Sequence, residues 1–199
     1  MRTFSLLLVF ALVGVCLGVE PASTQQGKEP TYQGKTLGEW IALTKDKDEY
    51  FRITAAESIG KIGPKAKIAA PALTELLKDK EENVREAAAS ALGYIGPEAK
   101  TAVPALTEML KDKEENVRQT AAWALGSIGP EAKTAVPALT ELLKDKEEAV
   151  REASASTLGN IGPEAKTAIP ALTELLKDED DNVQRAAAKA LEKIKKEKK

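Results

Sequence analysis

Apolar residues along most of this chain recur at helical spacing, and the spacing itself recurs as a block. In Thr101-Ala-Val-Pro-Ala-Leu-Thr-Glu-Met-Leu-Lys, the side chains of Val103, Leu106, Met109 and Leu110 share one face of a helix. Thr101 is placed to cap its amino end. Pro104 then falls in the first turn, where a missing N–H costs nothing because those amides have no intrahelical acceptor. The polar break Lys111-Asp-Lys-Glu-Glu leads to a second helix, expected over 116 to about 128, with Val117, Ala121, Ala124, Leu125 and Ile128 as its apolar stripe. Gly129-Pro130 closes it, since proline cannot continue a helix and glycine tolerates the turn. No strand-like alternation is evident anywhere.

The block length is 33 residues, marked by Pro71, Pro104, Pro137 and Pro170, by Asp46, Asp79, Asp112, Asp145 and Asp178, and by Gly-Pro at 63–64, 96–97, 129–130 and 162–163. Self-similarity of this kind is the signature of a solenoid, whose units bury their apolar faces only against one another. The expected fold is all-α: a right-handed α-solenoid of about five stacked helix pairs, with units near 35–64, 65–97, 98–130, 131–163 and 164–196. The end units depart from the pattern, as capping units should. Trp40, in Thr36-Leu-Gly-Glu-Trp-Ile, falls where Leu73 falls one unit later, a bulky residue suited to covering the open end of the core. The last unit ends in Glu192-Lys-Ile-Lys-Lys, lysines that suit the negative end of a helix dipole. A basic tail, 197–199, follows.

Charge and composition narrow the function. The chain of 199 residues has 29 basic against 31 acidic side chains, a balance without the basic excess that nucleic-acid binding requires. It contains no histidine, which removes His-based metal sites and His acid–base catalysis. The sequence therefore offers no catalytic, cofactor-binding or metal-ligating set. Residues 1–18 read as an export signal: Arg2 gives a positive start, residues 4–17 are apolar, and Cys16 and Gly18 supply the small residues of a cleavage site. The apolar run is shorter than the roughly 20 residues that span a bilayer, so an uncleaved anchor is the lesser reading and no stable membrane insertion is expected after cleavage. Lipid attachment at Cys16 is a further alternative, against which Val13-Gly14-Val15 lacks the usual small residue just before the cysteine. The mature chain would have no cysteine and no disulfide. Residues 19–34, rich in Pro, Gly, Gln and Ser without an apolar period, read as a flexible linker. The expected location is outside the cytoplasm, periplasmic or secreted.

The run Pro71…Asp79…Val84-Arg85, the Ala-rich second helix and Leu92-Gly-Tyr-Ile-Gly-Pro together resemble the HEAT repeat, and more narrowly the short HEAT-like repeats of phycobilisome lyases. The resemblance covers about 160 of the 199 residues. A 33-residue period is that of ankyrin, but the ankyrin Thr-Pro-Leu-His signature and the tetratricopeptide pattern are both absent. The resemblance implies that the Asp and Arg of each unit, Asp46/Arg52, Asp79/Arg85, Asp112/Arg118 and Asp145/Arg151, form a hydrogen-bonded ladder between the loops of neighbouring units. Repetition in every unit makes these residues struts rather than a catalytic set. The last unit has Gln184 at the Arg position, with Arg185 beside it, where the ladder is expected to end.

The resemblance also implies that second helices line a concave face. Helical phase puts three positions of each second helix outside the buried stripe. Across the units the first position reads Ile53, Glu86, Gln119, Glu152 and Arg185. The second reads Glu57, Ser90, Trp123, Ser156 and Lys189, and the third Lys61, Tyr94, Ser127, Asn160 and Lys193. Elsewhere the units are almost copies, whereas here they differ. Trp123 and Tyr94 are the residue types most often found as interface anchors; the bland alternative is that they fold back to shield an Ala-rich core. The function expected is an exported scaffold that binds a partner protein on this strip, with no cofactor. A structural spacer and a chromophore-lyase-like enzyme are the alternatives. A lyase would want a hydrophobic cavity with reactive groups. The iron-dependent hydroxylases of the superfamily are excluded because their His ligands are missing.

Overall fold

The computed structural model describes residues 29–196. Five helix pairs follow one another: α1 (Leu37–Leu43) with α2 (Glu49–Ile62), α3 (Ala70–Leu76) with α4 (Glu82–Ile95), α5 (Val103–Met109) with α6 (Glu115–Ile128), α7 (Val136–Glu141) with α8 (Glu148–Ile161), and α9 (Ile169–Glu174) with α10 (Asp181–Lys195). The even-numbered helices pack each on the next, and the shorter odd-numbered ones cover their apolar stripes. The expected stripe of α6 is buried throughout: Val117, Ala121, Ala124, Leu125 and Ile128. Gly129 ends that helix at φ +77°, a conformation that favours glycine.

Two local expectations need correction. Thr101 does not cap α5: the cap position is Ala102, without a side-chain bond. The 3₁₀ segment Gly96–Ala102 runs directly into the helix, and the Val103 amide donates to the Lys100 carbonyl. Continuous turn structure thus supplies the acceptor that the threonine hydroxyl was expected to provide. Pro104 lies in the first turn, as its missing donor allows.

The second correction concerns strands. Thr31–Tyr32 and Lys35–Thr36 pair antiparallel around Gln33 and Gly34, which have φ +47° and +78°, so residues 29–34 are ordered structure rather than linker. This hairpin closes the open end of the stack. The Tyr32 carbonyl accepts from Trp40 Nε1 at 3.0 Å, the Pro30 carbonyl accepts from the Leu37 amide at 2.9 Å, and Trp40 is buried. Thr36 and Glu39 form a capping box at the start of α1. The sequence readings of the signal segment 1–18, of Cys16, of linker residues 19–28 and of the tail 197–199 lie outside the described residues.

The ladder is present and runs forward. Each arginine pairs bidentately with the aspartate of the following unit. Arg118 Nε lies 2.8 Å from Asp145 Oδ2 and Nη2 lies 3.0 Å from Oδ1, while Nη1 donates to the Asp112 and Lys113 carbonyls of its own unit. Arg52–Asp79, Arg85–Asp112 and Arg151–Asp178 repeat the geometry. Asp46 and Arg52 of one unit are therefore not side-chain partners; Asp46 accepts from the Asp48 amide instead. At the far end Gln184 donates from Nε2 to the Asp178 carbonyl of its own unit at 2.7 Å. Arg185 turns to Asn182.

One repeat position breaks the apolar rule. Ala55, Ala88, Ala121 and Ala187 are fully buried at equivalent places, and in the fourth unit Ser154 replaces them with a buried hydroxyl that has no hydrogen-bond partner. A buried polar group without a partner costs about 1–3 kcal/mol. Ser154→Ala is expected to stabilise the fold by about 1 kcal/mol, seen as a rise of about 2–4 °C in Tm. An unchanged or lower Tm would mean that the hydroxyl is satisfied in solution.

Candidate protein-binding face

Close approach of the second helices builds this face. Glycines on each helix meet the next one: a Cβ added at Gly60 would lie 3.1 Å from Ala91 Cα, and one at Gly159 would lie 2.8 Å from Ala190 Cα. At Gly93 the neighbour is not backbone but the indole of Trp123, whose Cζ3 would be only 2.3 Å from an added Cβ. The ring therefore lies across the backbone of α4. There it meets Tyr94 edge to face, with centroids 5.2 Å apart and planes at 68°. Lys61 Nζ stands 5.7 Å from the Tyr94 ring centre, so one side chain from each of three consecutive units joins a row.

Both sequence readings of Trp123 hold a share of this geometry. The indole covers Gly93, yet Trp123 remains 41% exposed and Tyr94 53% exposed. The apolar surface they leave to solvent forms a wall between two hollows.

The first hollow, about 470 Å³, brings together Trp123, Tyr94, Ser90 and Gln119 with Glu152, Ser156 and Asn160 from α8. The second, about 650 Å³, lies on the other side of Tyr94, between Ile53, Glu57 and Lys61 of α2 and Glu86 and Ser90 of α4. Ser90 and Tyr94 belong to both, so the hollows adjoin. Ser127 and Lys189 line neither; Ser127 is half-buried on α6 and Lys189 is exposed on α10. Lys193, also on α10, reaches back to donate to Asn160 Oδ1 at 2.8 Å.

Sequence phase alone missed the floor of the first hollow, which includes Thr120, Ala149, Ala153 and Thr157. The signal that finds Ala149 and Thr157 is departure from the repeat rather than helical phase, whereas Ala153 matches Ala87 and Ala186 and carries no such signal. Ala149 stands where three of the other units have Asn83, Asn116 and Asn182, and Thr157 where the same three have Ala91, Ala124 and Ala190. The smaller Ala149 opens the floor, and Thr157 Oγ1 is satisfied by the Ala122 carbonyl of α6 at 2.8 Å.

The face offers amides, hydroxyls, carboxylates and aromatic surface. Among the described residues no group of His, Cys, Asp and Glu is arranged to hold a metal ion, and no helix is long and apolar enough to cross a membrane.

The model of HEAT repeats matches residues 37–114, 70–156 and 136–199, which together span most of the chain. The chain belongs to the HEAT-repeat family. Among solved structures, this HEAT protein is similar to the complex of CpcE and CpcF of phycocyanin lyase from Nostoc sp. PCC7120. That likeness has 32% identity and a TM-score of 0.72, over 85% of this chain and 70% of that one. An engineered protein matches at 28% identity and a TM-score of 0.68, covering 80% and 79% of the two chains. The archaeal HEAT-like repeats protein from Thermococcus onnurineus NA1, at 18% identity and a TM-score of 0.59 over 79% and 70%, shares the fold alone. No curated relative matches the chain.

Proposed function

We propose that this HEAT protein is a non-catalytic scaffold that acts outside the cytoplasm and holds a partner protein on the concave face lined by its second helices. HEAT repeats point to protein interaction in general. The observation that carries it is the Trp123–Tyr94 pair, partly exposed between two hollows at the positions where otherwise near-identical units diverge. Buried aromatic anchors with a polar rim are the usual energetic centre of a protein interface. Support also comes from the CpcE and CpcF relatives, which form a complex with each other. Export rests on the character of residues 1–18.

The same relatives favour one second reading, a lyase-like role. It would require a chromophore to occupy the first hollow, and the described side chains there supply no histidine or cysteine for attachment.

The test is capture of partners from envelope and secreted fractions by the mature chain and by the Trp123→Ala/Tyr94→Ala variant. Because hot-spot truncations commonly cost 2 kcal/mol or more, the double variant is expected to lose at least about thirtyfold in affinity with its helical signal unchanged. A partner retained equally by both proteins would move the site to another surface, and no partner at all would favour the spacer.

A further inference from the structure

The charge of the two adjoining hollows differs from that of the chain. Whereas the whole sequence is nearly balanced, the hollows are lined by three carboxylates, Glu57, Glu86 and Glu152, against the ammonium of Lys61, with that of Lys193 held on Asn160 of the first hollow. Lys61 already faces the Tyr94 ring. Among the described residues none of the three glutamates forms an ion pair, while the glutamates of the loops, Glu81, Glu114 and Glu147, each have a lysine partner. The free carboxylates therefore sit beside an aromatic wall, a combination that attracts a cation both by its charge and through the ring faces. The side chains of Gln119, Ser90 and Ser156 also make no hydrogen bonds among the described residues, which leaves amide and hydroxyl groups for a main chain lying in the hollows.

We infer that the occupant of this face is an extended segment of a partner protein bearing two basic side chains about six residues apart, with an apolar side chain between them against Trp123. The inference rests on the proposed scaffold role and names the chemistry of its partner. The spacing follows from register. Glu86 and Glu152 hold the same position on helices two units apart, and packed helices stand at about 8–10 Å, so the two carboxylates are separated by about 20 Å. An extended chain rises about 3.3 Å per residue, which makes six residues; an even number keeps both side chains on one face of the segment.

The experiment titrates the mature chain with synthetic peptides of about twelve residues. One carries Lys at positions six apart with Leu between them, a second replaces both lysines by Glu, and a third moves the lysines to a spacing of three. Binding is read by calorimetry and by the emission of Trp123, since Trp40 is buried beneath the hairpin. The first peptide is expected to bind best, with affinity falling as salt rises. Glu86→Gln/Glu152→Gln, substitutions at solvent-accessible positions outside the ladder, should weaken it at least about tenfold and flatten the salt dependence.

Equal binding of the acidic peptide, or no effect of the double glutamine substitution, overturns the basic partner. If such binding is still abolished by Trp123→Ala/Tyr94→Ala, the face survives and only its charge assignment falls. Absence of binding by every peptide sinks this inference, while the partner-capture experiment decides separately on the scaffold. Self-association of the chain, lost on the same glutamine substitutions, would give the hollows to the lysine-rich carboxyl end of a second copy and would likewise overturn a separate partner.

Discussion

Arg118→Ala is expected to lower the unfolding free energy by about 3–5 kcal/mol, the cost of breaking a buried ion pair from one side. The guanidinium donates four hydrogen bonds, two to Asp145 of the next unit and two to loop carbonyls of its own. Both side chains are about nine-tenths buried, so water cannot readily replace what alanine removes. Because the pair joins the third unit to the fourth, the substitution weakens a nearest-neighbour interface at the middle of the stack. A denaturant transition that broadens or splits into two is therefore expected alongside the loss of stability. Replacing both partners, as Arg118→Met with Asp145→Leu, should recover most of the loss, since no buried charge is then left alone. A single variant within about 0.5 kcal/mol of the parent chain would show that the ladder is ornamental.

The same pair sets the acid response. Burial by itself raises the Asp145 carboxyl, but the Arg118 hydrogen bonds, the Glu147 amide and the nearby positive charge outweigh it and hold the group below its ordinary value. Asp79 and Asp112 show the same balance with Arg52 and Arg85. At Asp178 the bond from Arg151 is the leading influence. A carboxyl lowered by folding binds fewer protons in the native state than in the unfolded one. Its contribution is thus present above the unfolded value of about 4 and is lost as pH falls through the lower, folded value. The fold should weaken in acid below about pH 4, and Arg118→Ala, already without one rung, should weaken less steeply over that range.

What the sequence made legible was whatever repeats. The 33-residue spacing of Pro104, Asp112 and Gly129-Pro130 exposed the helix pairs, and the 3.6-residue phase within α6 separated Leu125 from Trp123. The ladder between neighbouring units was expected from the resemblance; its direction was not, because a solenoid brings residues one period apart into register and Arg118 reaches forward to Asp145. The hairpin at 31–36 escaped for a related reason. Its two strands are too short to show alternation, and its docking depends on Trp40 and Leu37, which belong to the first helix. Thr101 illustrates the limit of cap rules, which assume that a helix starts from irregular chain, whereas α5 emerges from a 3₁₀ turn. At the face, phase identified Trp123 and Tyr94 as outward-pointing but not that the indole would lie across Gly93. That depends on a missing Cβ in the neighbouring helix.

Excision of residues 105–137 should yield a shorter protein that folds cooperatively with the same helical signal per residue. The cut joins Pro104 to Ala138, reproducing the Pro-Ala step of α5, and carries Asp145 to the register of Asp112, so Arg85 gains the carboxylate that the excised segment takes away. Every interface of the shortened stack is then of a kind the full chain already contains. The denaturant m-value, which scales with the surface exposed on unfolding, should fall by about a fifth as one unit of five is lost, with a lower midpoint because one interface is lost too. Collapse of the helical signal would mean that the units depend on distant neighbours, contrary to solenoid energetics. The excision also separates fold from recognition. The ladder stays continuous, whereas Trp123 is gone and Ser156 takes its place opposite Gly93 and Tyr94. If the face is the binding site, the shortened protein should be folded and unable to hold a partner. If binding persists, the stack itself rather than its aromatic pair is what the partner reads.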